Sequence, residues 1–150
     1  MKFTTSSGSL QHLLANTGKV INSKNTYPIL DYFLLDLKGE QLTVTASDVE
    51  TTIVSSITIE SVERDGVIAA PSKLLMDTLK EFADMPITID VNTNTWEIGI
   101  SWKSGKLSIP GADPSSYPTI TELADERREL EVSANMFIGG INSSLFATAD

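Results

Sequence analysis

A chain of 150 residues with 41% apolar and 21% charged residues holds enough apolar material for a folded core without covalent staples. It has no cysteine, which excludes disulfides, thiolate metal sites and cysteine nucleophiles. Its 11 basic and 20 acidic residues leave a net charge of −9, so a nucleic-acid role would require a few lysines gathered on one face.

Lys2–Thr5 reads as a short strand, and Ser6, Ser7 and Ser9 offer caps for a helix behind it. Leu10, Leu13, Leu14, Thr17, Val20 and Ile21 recur at the spacing of one helical stripe. A polar loop over 22–28 leads into three β-rich stretches, Ile29–Leu37, Gln41–Ala46 and Thr51–Ile59, with Lys38-Gly39-Glu40 as a hairpin turn. Val67–Ala70 is a further strand ending at Pro71, after which Ser72 is expected to cap a second helix over Lys73–Phe82. Ile87–Val91, Trp96–Trp102 and Lys106–Ile109 complete the strands, with a turn at Asn92-Thr93-Asn94. The expected fold class is α+β, two helices packed on antiparallel sheets of about eight strands. No apolar run approaches the ~18–20 residues of a membrane span, and the opening lacks a secretion signal's basic and apolar regions, so a cytoplasmic location is expected.

The chain then begins to repeat itself. Placing Leu130 opposite Phe3 sets Val132, Phe137 and Ile141 opposite Thr5, Leu10 and Leu14, with Ser133-Ala134-Asn135 in place of Ser6-Ser7-Gly8. The expected organisation is a first domain over 1–122, a charged linker over 123–129 and the truncated start of a second, similar domain over 130–150. A strand and helix without their sheet are expected to be poorly ordered or loosely docked.

Catalytic chemistry finds little support. His12 is the only histidine, which excludes a histidine metal cluster, and no phosphate-binding glycine loop or nucleophile elbow is present. Gly139-Gly140 falls inside a helical pattern. Asp48 and Glu50 could form a carboxylate pair, but a turn in which Asp48 accepts nearby backbone amides is the better reading. No enzyme activity, cofactor or metal is expected. Among the basic residues, Lys73 and Lys80 fall on the solvent face of the second helix with Asp77 between them, Lys19 on the outer side of the first, and Lys24 in the loop beyond.

Several stretches together resemble the bacterial sliding clamp family, the β subunit of the replicative DNA polymerase III. These are Met1-Lys2-Phe3-Thr4, Thr26-Tyr27-Pro28-Ile29-Leu30, Ser47-Asp48-Val49-Glu50, Pro71-Ser72-Lys73, and Leu107-Ser108-Ile109 running on to Tyr117-Pro118. The match is in their order and spacing over residues 1–150. The resemblance implies a DNA-clamp fold, three similar domains per chain, and a homodimer closing head to tail around duplex DNA. It implies a processivity factor that tethers polymerase and is placed by a clamp loader. It assigns DNA contact to Lys24 and Lys73, to which helical facing adds Lys19 and Lys80. It assigns the contact with the other chain to Leu107, Ile109 and Phe82. It also implies that the pocket for polymerase and loader peptides, between later domains, is not within this chain. Ala149 departs from the family, which often carries a DNA-contacting glutamine near that position.

Two other classes compete with that expectation. One is an unrelated protein-interaction module using an exposed sheet edge. The other is a hydrolase acting through Asp48 and Glu50.

Overall fold

Alternating inward and outward side chains build nine strands in the computed structural model, which describes residues 1–21, 27–118 and 130–148. The chain divides into two units, Met1–Thr119 and Ile120–Asp150. In the first unit, strands β1 (Lys2–Ser6), β5 (Ser61–Arg64), β7 (Pro86–Asn92), β8 (Glu97–Trp102) and β9 (Gly105–Pro110) form one antiparallel sheet in the order β5-β1-β7-β8-β9. Strands β2 (Tyr32–Lys38), β3 (Gln41–Ser47), β4 (Thr52–Thr58) and β6 (Gly66–Pro71) form a second, in the order β4-β3-β2-β6. Helices α1 (Ser7–Thr17) and α2 (Ser72–Lys80) pack against one another and against the second sheet.

The period of two explains why these segments are strands. Phe33, Leu35 and Leu37 of β2 are buried, and β3 answers with Leu42, Val44 and Ala46, with Leu35 opposite Val44. The first sheet contributes Phe3, Ile89, Val91, Ile98 and Ile100 to the same core, and the helices add Leu10, Leu14, Leu75 and Leu79. Full burial of each such side chain contributes about 1.5–3 kcal/mol. In β4 the residues on one side are exposed and those on the other half-buried, as a strand with one solvated face requires.

Helix α1 starts where Ser6 can accept the Ser9 N–H at 3.1 Å. Asp84, from the turn after α2, reinforces that start: it accepts the Ser6 hydroxyl at 2.5 Å and the Gly8 N–H at 3.1 Å. Those two bonds, the serine's first, hold its carboxyl below the usual value. Ser7, itself buried, donates to the Ala83 carbonyl and accepts the Met85 N–H, tying the start of α1 to the entry of β7. After Thr17 the helix tightens into a 3-10 turn, Gly18–Val20.

Four expectations are corrected. Ser72 does not cap α2; Pro71 occupies the cap position, and the Ser72 hydroxyl donates instead to the Asp31 carbonyl at 2.6 Å. Buried beside that carbonyl, the hydroxyl satisfies its own need for a hydrogen bond there. Residues 29–31 are part of a 3-10 turn, so β2 begins only at Tyr32. The strand β5 raises the number from about eight to nine. Its sequence, Ser61-Val62-Glu63-Arg64, has one apolar residue, and pairing with β1, rather than its own pattern, makes it a strand. Residues 130–133 form no strand: a strand requires a partner's backbone, and no strand is described in the second unit.

The second unit contains α3 (Ala134–Ser144) followed by a 3-10 turn, Leu145–Ala147. α1 and α3 are both 11 residues long, and each continues into a three-residue 3-10 turn. Ser133 accepts the Met136 N–H at 3.3 Å, as Ser6 accepts that of Ser9. These positions correspond under the same alignment that sets Leu130 opposite Phe3. Met136, Phe137, Ile138 and Ile141 are exposed.

Candidate functional site

Charge is distributed unevenly between the layers. Helix α1 carries no aspartate, glutamate, lysine or arginine, the adjoining 3-10 turn carries Lys19, and α2 carries Lys73, Asp77 and Lys80. On a chain of net charge −9, Lys19, Lys73 and Lys80 stand in this helical layer with Asp77, and Glu81 and Asp84 follow in the turn after α2, so its charge is close to balanced. Acidic residues collect on the sheets and their turns: Lys2 pairs with Glu63 at 2.8 Å, Arg64 with Asp90 at 2.8 Å, and Lys38 with Asp36 at 2.7 Å.

The lysines are not equivalent. Lys80 is held by Asp77 at 3.0 Å, an exposed pair three residues apart on α2. Among the described residues Lys19 and Lys73 enter no ion pair; both are exposed and both border one groove of about 810 Å³ between the end of α1 and the start of α2. Leu14, Ile21, Phe33, Leu74 and Met76 line it. Its floor is tightly packed: a side chain at Gly18 would bring its Cβ to 2.9 Å from Cζ of Phe33. Lys24 and Ala149 lie outside the described residues.

The three residues expected at a contact with another chain lie at one end of the first sheet. β9 is the edge strand, and among the described residues no strand pairs with its outer side. Ile109, 5% exposed, points into the core opposite Ile98, whereas Leu107, opposite Ile100, is half-buried at its margin. Phe82, also half-buried, meets Trp102 edge to face, with ring centroids 4.9 Å apart. The sequence reading treated Trp102 only as a strand end; its contact with Phe82 crosses from the turn after α2 to the β8–β9 hairpin and leaves no local signal. At the far edge of the second sheet, β4 likewise has an open side and carries no charged residue.

Asp48 and Glu50 do not form a paired-carboxylate site. One Asp48 oxygen accepts the Glu50 N–H at 3.1 Å and the Thr51 N–H at 2.7 Å, as the turn reading expected. Ser47 completes the turn by accepting the Val49 N–H at 3.1 Å, which holds Val49 at a φ of 85°. His12 is exposed beside Asn16 on α1. Among the described residues no group of three or more histidine, cysteine, aspartate or glutamate side chains could hold a metal, and no helix is long and apolar enough to cross a membrane.

Buried Tyr117 fastens the segment after β9, its hydroxyl donating to the Thr45 carbonyl of β3 at 3.4 Å. Burial pushes its phenol up to about 12, with the Ser47 backbone opposing in part. The phenol therefore remains neutral through the physiological range, and the bond to β3 with it.

This architecture and these sequences have relatives. The model of the DNA polymerase III beta subunit N-terminal domain matches residues 1–121. The beta sliding clamp of Synechococcus elongatus is 28% identical over 152 residues, covering 99% of this chain and 40% of that protein. That of Pseudomonas aeruginosa is 25% identical over 122 residues, covering 81% of this chain and 33% of that protein. The crystal structure of the DNA polymerase III subunit beta from Pseudomonas aeruginosa superposes on the whole chain with a TM-score of 0.89, at 24% identity and over 40% of its own length. The chain thus has the sliding-clamp fold and spans well under half the length of these relatives. With the family model matching most of its residues, this chain belongs to the DNA polymerase III beta subunit family, whose N-terminal domain it contains.

Proposed function

We propose that this chain contributes the first domain, over 1–122, and after a linker over 123–129 the beginning of a second, over 130–150, to a sliding clamp. In that reading two copies of the complete protein close into a ring around duplex DNA and tether the replicative polymerase, with a clamp loader placing the ring. Its work is topological, carries no catalytic step, and belongs in the cytoplasm with the replication machinery.

The observation that carries the reading is the pair of exposed lysines, Lys19 and Lys73, beside α1 and α2. An acidic exterior repels DNA, while these two, in no ion pair among the described residues, offer a few weak contacts to phosphates without regard to base sequence. Lys24 belongs to the same set by family position; Lys80, already engaged by Asp77, is its weakest member. Loose contact suits sliding, because linkage around the duplex replaces affinity.

Ring closure needs open sheet edges, and the two sheets offer β9 and β4. At β9 the exposed backbone edge would pair with the other chain. Leu107 and Phe82 would supply apolar contact at its margin, and Ile109 would support the strand from inside. The matching starts of α1 and α3 support a second copy of the same domain plan, and the exposed apolar residues of α3 are what such a domain would bury.

Charge reversal tests the DNA face. In the complete protein, Lys24→Glu with Lys73→Glu is expected to weaken its salt-dependent contact with short linear duplex DNA several-fold and to flatten that dependence on salt, while Lys80→Glu has the smaller effect. Unchanged contact and salt dependence in the double variant would remove the helical layer as the DNA-facing surface.

A further inference from the structure

Strand β4 ends the second sheet with an open side, and its residues, Thr52–Thr58, include no charge and no proline. A row of free N–H and C=O groups is a template for another strand, and a charge, a proline or a bulge usually blunts it. β4 has none of these: its register with β3 runs unbroken from Gln41 opposite Thr58 to Ser47 opposite Thr52. Its sequence adds a second observation. Thr-Ile-Val-Ser-Ser-Ile-Thr reads nearly the same in both directions about Ser55, with Val54 and Ser56 the only unlike pair.

We propose that β4 pairs with β4 of a second copy of this chain, antiparallel about a two-fold axis through Ser55. A two-fold contact must be complementary to itself, and the near-palindromic order supplies that. The axis sets Thr52 opposite the partner's Thr58, Ile53 opposite the partner's Ile57 and Val54 opposite the partner's Ser56, so every residue of the strand is matched. A slip of one residue would turn one copy's inner face outward, and a slip of two would shorten the overlap and set an isoleucine opposite Ser55. Ile53 and Ile57 are half-buried on the core side of β4, so the join carries the apolar layer from one sheet into the next. Thr52, Val54, Ser56 and Thr58 are exposed on the other side and gain cross-strand neighbours. The net charge of −9 on each copy opposes the contact, and the register leaves Glu50 level with the partner's Glu60 beyond each end. Both glutamates are exposed and outside the strand, so salt screens their repulsion. The inference goes beyond the clamp reading and stands on β4 alone. Where both hold, a ring that uses the β4 edge excludes the pair, so β4–β4 pairing is a state outside the ring.

The test is sedimentation velocity of the 150-residue chain at rising concentration. A reversible dimer is expected, tighter as salt is added. The double variant Val54→Lys with Ser56→Lys sets like charges opposite one another and should weaken the dimer by about tenfold or more, as should Val54→Glu with Ser56→Glu. Both positions are exposed, so circular dichroism of either variant should match that of the parent. Mixing the two variants should restore a mixed dimer, which neither misfolding nor a contact elsewhere would produce. A parent chain that stays monomeric, a dimer that weakens with salt or survives both double variants, or a mixture that stays monomeric would overturn the inference. So would loss of the dimer in Leu107→Lys, which would move the contact to β9. Retention of the complete protein on circular DNA is read separately, so failed pairing with intact retention sinks the β4 contact and spares the clamp.

Discussion

Phe3→Ala is expected to remove about 3–5 kcal/mol of stability, a large part of the roughly 5–15 kcal/mol by which a domain of this kind is folded. Phe3 is fully buried on β1, which lies between β5 and β7 and holds both in register, with Val62 opposite on one side and Ile89 on the other. The void left by the ring would be lined by side chains of a single core shared by the two sheets and helices, so the surroundings can collapse into it only in part. Urea unfolding followed by circular dichroism reads the effect. A loss below about 1 kcal/mol would mean that the core is loosely packed and that the model of interlocked sheets is wrong.

Gly111→Ala should cost about 2–3 kcal/mol even though it adds only one carbon. The added Cβ would stand 2.6 Å from the Trp96 carbonyl oxygen and 3.0 Å from that of Ala69. Both obstacles are backbone and cannot rotate aside. The same two carbonyls accept the Gly111 and Ala112 N–H groups at 2.8 and 2.9 Å, so relief of the clash breaks the bonds that pin the chain after β9 to the turn before β8 and to β6. The variant's urea midpoint should drop while the slope of its transition stays that of the parent. An unchanged midpoint would show that the exit from β9 is not held this way.

The contrast between these two positions explains what could be read from the sequence. Phe3 announces itself, because a short apolar alternation followed by serines and a leucine stripe can scarcely be anything but a strand entering a helix. The same local grammar made Asp48 legible as a turn residue and made Leu130 align with Phe3. Gly111 lies in a turn-rich tail, and the need for glycine arises only when Trp96 and Ala69, far apart in sequence, meet beside it. The strand β5 was missed for the same reason, since Ser61-Val62-Glu63-Arg64 becomes a strand through β1. Ser72 looked like a cap because residue type suggests one, while the acceptor it uses is Asp31, brought alongside by the fold.

The candidate site divides in the same way. That Lys73 and Lys80 share a solvent face follows from helical spacing, but the engagement of Lys80, and not Lys73, by Asp77 depends on where side chains settle. The groove joining Lys19 to Lys73 requires α1 and α2 to lie side by side, which no local pattern states. Net charge alone pointed away from DNA; the proposed DNA face rests on where Lys19 and Lys73 stand beside the two helices, which a charge total does not show.

The measurement closest to the central claim compares retention of the complete protein on closed circular DNA with retention on the same DNA after a single double-strand cut. A ring that holds DNA by encirclement stays on the circle and slides off the cut ends, with little sensitivity to salt while the circle is closed. Equal retention on circle and linear DNA, with steep loss as salt rises, would mean ordinary electrostatic binding and would contradict the clamp.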